Sequence, residues 1–161
     1  MTAGAYSIPE VQRLLATLVS SKPGGRIAEI GTAYGEGARA IVDALPADAT
    51  FVTVEIDRKR AAHAREALAG TRAEVLEGDW RDLLPQRGPF DLLFADGGRD
   101  YELVIDLLAP GGIVVKDDLS PDWPAKESDP TRRALLADPR VEAIEILVRE
   151  DMAAIVAVRR S

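Results

Sequence analysis

The sequence predicts an α/β fold in which a doubly wound, mostly parallel sheet carries helices on both of its faces. Short apolar runs alternate with amphipathic helical patterns from residue 26 to residue 118, and strands that alternate with helices form right-handed βαβ crossovers. Near the C-terminus, two apolar runs are separated by an acidic turn at Glu150 and Asp151. That pattern is typical of a closing antiparallel hairpin.

The first predicted element is a helix in the stretch SIPEVQRLLATLV. We expect Ser7 to cap this helix, with Glu10 as its capping-box partner and Pro9 in the first turn, where the missing N–H is harmless. Apolar side chains at helical spacing predict a stripe that faces the core. These side chains are Val11, Leu14, Leu15 and Leu18.

Strands and helices are then expected to alternate along the chain. The strands are predicted at residues 26–31, 50–57, 73–78, 90–96 and 111–118. The helices between them are predicted at 36–45, 58–69, 80–84 and 99–108. Beyond residue 118, a polar, proline-containing loop leads to a short helix, TRRALLA, and to the hairpin strands VEAIEILVRE and MAAIVAVRR.

The composition limits the classes of function. The 161 residues, 17.3 kDa, fit a single domain, 1–161, with the N-terminal helix in 1–22, ligand-binding βα units in 23–118 and a loop, short helix and hairpin in 119–161. Cysteine is absent, which excludes disulfides and thiol chemistry and is compatible with a cytoplasmic location. The net charge of −7 disfavours nucleic acid as a partner. No apolar run reaches the length of a membrane span, so we expect a cytoplasmic protein that does not contact membranes.

Carboxylates and glycines lie at the ends of the predicted strands. Ligands of open parallel sheets bind outside the carboxyl ends of the strands, where the strand order reverses. Those ends are therefore the first place to look for a site. They carry Glu29 and Gly31, Glu55 and Asp57, Gly78 and Asp79, Asp96, and the pair Asp117 and Asp118.

The stretch RIAEIGTAYGEGARAIVDAL joins the first strand to a helix through three glycines. Gly31, Gly35 and Gly37 are spaced G-x-x-x-G-x-G, which differs from the G-x-G-x-x-G that holds a dinucleotide. Glu29, just before the turn, would repel a diphosphate but suits a cationic ligand. S-adenosylmethionine (SAM), which has a sulfonium and an ammonium group and no phosphate, is such a ligand.

Two further positions favour a nucleoside-containing cofactor. Glu55 ends the second strand, where an acidic residue accepts the ribose hydroxyls. In the turn EGDW, Asp79 is placed to accept a hydrogen bond from an adenine amino group while Trp80 packs against the ring. The alternative is a tight turn for the glycines, a solvated strand end for Glu55 and a core position for Trp80.

Asp96, Asp117 and Asp118 end neighbouring strands and are expected to converge. Carboxylates that converge repel one another unless a cation lies among them or one pKa rises. A hard divalent ion, Mg²⁺ first and Mn²⁺ or Ca²⁺ otherwise, relieves that repulsion. Such an ion would bind vicinal hydroxyls and lower the pKa of one of them. The alternative is a set of solvated loop ends without metal.

Several motifs resemble those of a known family. IAEIGTAYGEGA, VTVEID, LEGDWRDLLP, FDLLFADGGRDY and LAPGGIVVKDDL occur in the order and spacing of the class I SAM-dependent methyltransferases. The match is best to the metal-dependent catechol and caffeoyl-CoA type O-methyltransferases. The resemblance covers residues 7–118 well and the hairpin loosely. It implies a Rossmann-like, seven-stranded sheet with the last strand antiparallel beside the fifth, and methyl transfer to an oxygen acceptor.

The resemblance also implies the residues of the site. The divalent cation would be held by Asp96, Asp117 and Asp118, and Arg99 matches a position that is usually lysine in the family. Asp96 and Arg99 are the predicted catalytic residues. The predicted cofactor-binding residues are Glu29, Gly31, Ala33, Tyr34, Gly35, Gly37, Glu55, Ile56, Gly78, Asp79, Trp80 and Asp96.

Three positions depart from the family pattern. Arg99 cannot act as a general base because its pKa is too high, so proton removal would fall to the metal or to a carboxylate. Gly37 replaces a small hydroxyl residue that meets the cofactor carboxylate, which leaves the backbone N–H groups of the helix start for that contact. Asp118 stands where asparagine is usual and adds negative charge. The acceptor pocket is expected to be covered by the 119–130 loop, with Trp123, or by a second subunit.

The sequence thus predicts a SAM-dependent O-methyltransferase acting on a small phenol- or catechol-like molecule with the help of Mg²⁺, and a homodimer is one assembly that the sequence allows. A metal-independent N- or O-methyltransferase is the nearest alternative. From other classes, an NAD-binding oxidoreductase or a non-catalytic binding module stays open. His63, within a charged helix, is interpreted as a surface histidine, and Arg58 or Lys59 as a neighbour of the adenosine.

Overall fold

The computed structural model describes residues 7–121 and 129–161. Its strands are β1 (Arg26–Ile30), β2 (Thr50–Glu55), β3 (Ala73–Glu77), β4 (Phe90–Ala95), β5 (Leu108–Leu119), β6 (Val141–Arg149) and β7 (Met152–Arg159). Its helices are α1 (Pro9–Ser20), α2 (Glu36–Asp43), α3 (Arg58–Ala67), α4 (Trp80–Leu83), α5 (Tyr101–Asp106) and α6 (Pro130–Leu136). Every element type predicted from the sequence in these residues is present.

The strands form one seven-stranded sheet in the order β3-β2-β1-β4-β5-β7-β6. Strands β1 to β5 pair in parallel, and β7 lies antiparallel between β5 and β6. The chain first builds outward from β1 to β3 and then returns to place β4 on the other side of β1. The strand order therefore reverses between β1 and β4, which makes their carboxyl ends the switch point of the sheet. The predicted fold class is confirmed.

Two hydrophobic clusters cover the two faces of the sheet. On one face, α1 and α2 pack Val11, Leu15 and Ile41 against Ile27 and Phe94. On the other face, side chains of α4, α5 and α6 pack against the opposite sides of the same strands; they include Trp80, Val104, Ile105 and Leu135. Since both faces are buried, the strand ends are where polar side chains can meet a ligand. No helix in the described part of the chain is both long and apolar enough to cross a bilayer.

The prediction for the start of the first helix was wrong. Ile8, not Ser7, is the N-cap residue, and no side chain caps the helix there. A residue that precedes proline is forced into the extended region, and Ile8, before Pro9, has φ −68° and ψ 156°. Ser7 is thereby moved one residue outside the cap, where its carbonyl accepts a hydrogen bond from the Gln12 side chain at 2.7 Å. Glu10 then no longer occupies the capping-box position.

The boundary between α5 and β5 also differs from the prediction. Helix α5 begins only at Tyr101, because the Asp100 carboxylate accepts a hydrogen bond from the Leu103 N–H at 3.3 Å and caps the helix. Strand β5 begins at Leu108, which pairs with Phe90 before a shift in register. Trp123, which was predicted to help cover the acceptor pocket, lies outside the described residues.

Candidate active site

A cavity of about 390 Å³ opens at the switch point of the sheet. Most of the residues predicted from the strand ends line it. They are Gly31, Ala33, Glu55, Ile56, Gly78, Asp79, Trp80, Asp96 and Arg99. The other predicted cofactor residues, Glu29, Tyr34, Gly35 and Gly37, are not among the residues that line this cavity.

Gly31 lies where the loops after β1 and β4 approach each other. Its φ is +92°, and a Cβ placed on it would lie 2.9 Å from the Gly97 backbone nitrogen. A side chain here would be strained and would collide with backbone. The glycine therefore keeps the floor of the cavity open between the two loops.

Glu55 is buried at the end of β2 and lines the cavity. One carboxylate oxygen accepts a hydrogen bond from the Ala33 N–H at 2.8 Å, and the other accepts one from the Asp57 N–H at 2.9 Å. The carboxylate thus fixes the glycine-rich turn to the end of β2. Each oxygen has a second lone pair, which leaves acceptors for a pair of ligand hydroxyls.

Asp79 and Trp80 form the far wall of the cavity. Asp79 caps α4 by accepting a hydrogen bond from the Arg81 N–H at 2.9 Å, and it also pairs with the Arg81 guanidinium. That guanidinium stacks 5.0 Å from the centroid of the Trp80 ring. Trp80 is only 7% exposed, so it serves both the core and the cavity. Ile56, which is 71% exposed, adds apolar surface at the rim.

Two arginines at this cavity were missed by sequence reasoning. Arg60 and Arg81 both line it, whereas the sequence pointed to Arg58 or Lys59. Arg60 follows Asp57, the N-cap of α3, by three residues, and helical geometry turns that position back toward the strand end. Recognising Asp57 as the N-cap of α3 would have indicated Arg60, because the N-cap position determines which residue of the run DRKR faces the cavity.

Glu29 lies in a separate buried network. It is 1% exposed, and its carboxylate accepts a hydrogen bond from the Thr53 hydroxyl at 2.5 Å. Burial raises the pKa of Glu29 to about 8; the charges of Asp96, Asp117 and Glu55 add to the shift, and the Thr53 hydrogen bond opposes it.

Gly37 is enclosed by the same network. A Cβ on Gly37 would lie 2.7 Å from Glu29 Oε1 and 3.1 Å from Ser7 Oγ. In this chain the space that a side chain at position 37 would fill is therefore taken by Glu29 and Ser7. Tyr34 packs edge-on against His63 at 5.5 Å between ring centroids, and His63 is exposed.

Asp96, Asp117 and Asp118 come together as predicted, with one oxygen from each within 4.8 Å of the others. Successive residues of a strand normally face opposite sides of the sheet. Here the pairing of β5 with β7 shifts between Lys116 and Leu119, and Asp118 has φ +59°. This irregularity turns the Asp117 and Asp118 carboxylates to the same place.

The electrostatics of this three-aspartate site favour a cation. Burial, then the charge of Asp96, raises the pKa of Asp117 to about 7, against the opposing charge of Lys116. The pKa of Asp96 is also raised, first by burial, with Asp118 and Glu55 adding and Lys116 opposing. Asp117 is 2% exposed, and its Oδ1 accepts no hydrogen bond from the residues that the structure describes. An orphaned carboxylate oxygen beside two further carboxylates fits the oxygen ligands that Mg²⁺ requires.

Lys116 is a third residue that sequence reasoning missed. Its Nζ donates a hydrogen bond to the Asp96 main-chain oxygen at 3.1 Å and lies 3.8 Å from Asp117 Oδ1. The side chain is 12% exposed. Strict alternation would place Lys116 and Asp117 on opposite faces, so only the observed irregularity of β5 could have indicated their proximity.

A second cavity, of about 790 Å³, adjoins the first. Asp96 and Arg99 line both cavities. The other walls of the second cavity come from the end of β5 and from α5 and α6, and include Tyr101, Lys116, Asp118, Pro130 and Thr131. The two cavities thus meet beside the three-aspartate site. That arrangement can bring a group in one cavity close to a group in the other.

Comparisons with known proteins identify the family. A family model described as a methyltransferase domain matches residues 28–119, more than half of the chain. A curated catechol O-methyltransferase from Niastella koreensis is 30% identical over 146 residues, which are 82% of this chain and 65% of that protein. A protein-L-isoaspartate O-methyltransferase from Methanopyrus kandleri is 30% identical over 115 residues, which are 68% of this chain and 51% of that protein. The chain therefore spans about half to two thirds of these curated relatives.

A solved structure gives the same result. An O-methyltransferase from Streptomyces achromogenes involved in tomaymycin synthesis, solved in complex with SAM, is 28% identical with a TM-score of 0.74; the match covers 98% of this chain and 82% of that one. The chain belongs to the methyltransferase-domain family, and its resemblance to the class I SAM-dependent methyltransferases is confirmed.

Proposed function

We propose that this protein is a SAM-dependent O-methyltransferase that acts on the hydroxyl of a phenol- or catechol-like small molecule with the help of a divalent cation. The observation that carries the proposal is the meeting of two cavities at Asp96 and Arg99. One cavity has the polar and aromatic groups that a nucleoside needs. The other opens on three converging aspartates.

The first cavity is assigned to the cofactor. Glu55 accepts hydrogen bonds from the ribose hydroxyls with the lone pairs that its backbone contacts leave free. Trp80 and Ile56 provide apolar surface for the adenine ring, and Asp79 is the acceptor for its amino group. SAM held by these residues would supply an electrophilic methyl group for transfer.

The second cavity is assigned to the acceptor. Asp96, Asp117 and Asp118 would hold the divalent cation, which lowers the pKa of a bound hydroxyl and makes it a better nucleophile. The walls around the site would position the acceptor, and such positioning accounts for a large part of the rate of a two-substrate transfer. In such a transfer the acceptor oxygen would form a bond to the methyl carbon, the carbon–sulfur bond would break with its electron pair staying on sulfur, and the hydroxyl proton would leave to solvent.

Arg99 cannot take the acceptor proton because its guanidinium does not release its own. Its exposed position on the wall common to both cavities suits it instead to pair with negative charge on the acceptor oxygen. We assign Arg99 to orienting and stabilising the acceptor anion.

Calorimetric titration of SAM into chelator-treated protein, with and without Mg²⁺, tests the cofactor assignment first. Transfer of labelled methyl from SAM to catechol, to a monophenol and to a primary amine then tests the acceptor class. We expect SAM to bind in both conditions and methylation of catechol to require the cation. Absence of SAM binding in both conditions would refute the methyltransferase proposal.

A metal-independent transfer to oxygen or nitrogen is the second candidate. The ammonium of Lys116 beside Asp117 favours it, since a cation is already present next to the acidic cluster. Methylation that survives removal of metal by a chelator would select this candidate. An NAD-binding oxidoreductase or a non-catalytic module predicts no SAM binding and is tested by the same titration. The homodimer and the cytoplasmic location stay predictions, the first of which light scattering would test.

A further inference from the structure

We propose that Lys116 is a built-in counter-cation of the three-aspartate site and that its ammonium sets how tightly the site binds a divalent cation. The inference rests on the proposed cation site. It assigns a role to Lys116, which lies beside the site but is not one of the carboxylates that would bind the cation.

The position of the ammonium is fixed by the fold. Lys116 pairs with Ile155 of β7 in the sheet, and its Nζ donates to the Asp96 main-chain oxygen at 3.1 Å. The side chain is only 12% exposed. The ammonium is therefore held beside the cluster and is not a mobile surface charge.

The direct hydrogen bond of Lys116 goes to a carbonyl and leaves the ligand oxygen available. Asp117 Oδ1 lies 3.8 Å from Nζ, is shielded from solvent and, within residues 7–121 and 129–161, accepts no hydrogen bond. The ammonium thus lowers the repulsion among the carboxylates through space, while the coordinating oxygen stays open to an incoming ion. This geometry differs from a closed ion pair, which would occupy the oxygen.

The same charge opposes an incoming cation. Mg²⁺ lies about 2 Å from a ligand oxygen, so an ion on Asp117 Oδ1 becomes a close neighbour of the ammonium. Even with water-like screening, repulsion at that range corresponds to about a tenfold change in a dissociation constant. Lys116 should therefore weaken cation binding while making the metal-free site less repulsive.

The test is titration of Mn²⁺ into the chelator-treated full chain, followed by electron paramagnetic resonance and calorimetry. Lys116→Met removes the charge, and Lys116→Gln removes the charge but keeps a donor for the Asp96 carbonyl. We expect each of them to bind Mn²⁺ about tenfold more tightly than the wild type. Lys116→Arg keeps the charge and should bind as the wild type does.

Two controls fix the interpretation. Lys22→Met removes the same charge before β1, at the opposite end of the sheet from the site, and should leave Mn²⁺ affinity unchanged. Asp117→Asn should abolish the binding and so assign the signal to this site. Melting temperature gives a second readout, since Mn²⁺ should raise it more in Lys116→Gln than in the wild type.

The outcomes separate the two proposals. Equal Mn²⁺ affinity in the wild type, Lys116→Met and Lys116→Gln overturns the role of Lys116 and leaves the cation site standing. Binding that appears only in the charge-removed variants supports the inference in its strongest form. No binding in any variant overturns both this inference and the cation-assisted mechanism, whereas the SAM titration still decides whether the protein is a methyltransferase.

Discussion

Glu29 is a carboxyl group that the fold holds in its neutral form. Its pKa rises from 4.5 to about 8, chiefly through burial. Between these two values the native state keeps a proton that the unfolded chain has released, so the free energy of unfolding falls as pH rises. For one such group the fall is on the order of 1 kcal/mol per pH unit across the window.

Glu29→Gln should therefore flatten the pH dependence of stability. Urea unfolding at several pH values between 4.5 and about 8 measures it. The wild type should lose stability with rising pH more steeply than the variant, and the variant should keep a smaller slope because the pKa of Asp117 is raised in the same direction. Glu66→Gln, an exposed change on α3, serves as the control and should follow the wild type. Parallel curves for wild type and Glu29→Gln would show that Glu29 is ionised in the native protein.

Individual site residues were easiest to predict from the sequence where a regular strand ends in a regular way. Glu55 and Asp96 follow apolar runs directly, and parallel strands bring such ends to one edge. Lys116 was not predictable, because its approach to Asp117 depends on the left-handed backbone of Asp118 and a shift in pairing. Ser7 was predicted as a cap from its residue type, whereas the conformation that proline imposes on Ile8 decides the cap.

Whole elements were easier to predict than their boundaries. The period of the apolar pattern determines whether a segment is strand or helix, and it indicated each described element correctly. The early start of β5 was not visible, since it depends on pairing with β4, which residues distant in the chain provide. The antiparallel insertion of β7 between β5 and β6 came from the family resemblance, because a hairpin pattern alone does not say which of its strands joins the sheet.

The buried arginine Arg132 joins the elements around the second cavity, which is proposed for the acceptor. Arg132 of α6 is 4% exposed and donates to both carboxylate oxygens of Glu145 on β6, at 2.8 and 2.9 Å. It also donates to the Ser120 carbonyl just after β5, at 2.8 Å, and pairs with Asp129. The hairpin, the last helix and the end of β5 are thereby held to one another.

Arg132→Met should destabilise the protein by about 3 to 5 kcal/mol, because the carboxylates of Glu145 and Asp129 would lose their hydrogen bonds from the buried guanidinium. Arg160→Met is the matched control. It breaks a pair with Glu142 in which both side chains are largely exposed, and should cost less than about 1 kcal/mol. Urea denaturation compares the two variants. Similar losses of unfolding free energy in the two variants would mean that burial does not make the ion pairs of Arg132 more stabilising than an exposed pair.

At the scale of the whole molecule, the two proposed functions, cofactor binding and cation binding, lie in different halves of one sheet. The ends of β1, β2 and β3 contribute most of the cavity proposed for the cofactor, and the ends of β4 and β5 hold the aspartates. Asp96 lies between the two halves and lines both cavities. Its pKa is raised first by burial and then by the charges of Asp118 and Glu55. Cofactor binding and cation binding should thus be separable by substitution, although Asp96 and Arg99 line both cavities.

Variants in each half should therefore have independent effects. Glu55→Ala should weaken SAM binding by about 1 to 3 kcal/mol and leave Mn²⁺ affinity unchanged, whereas Asp117→Asn should abolish Mn²⁺ binding and leave SAM affinity within a few-fold. Asp96→Ala should remove metal-dependent methyl transfer with SAM affinity again within a few-fold. Calorimetry on the single variants and on the double variant Glu55→Ala/Asp117→Asn measures the SAM and Mn²⁺ affinities.

In the double variant the loss of SAM affinity should equal the sum of the single losses within about 0.5 kcal/mol. A larger departure would mean that the two halves communicate through the strand ends, with Asp96 as the residue that couples cofactor binding to cation binding.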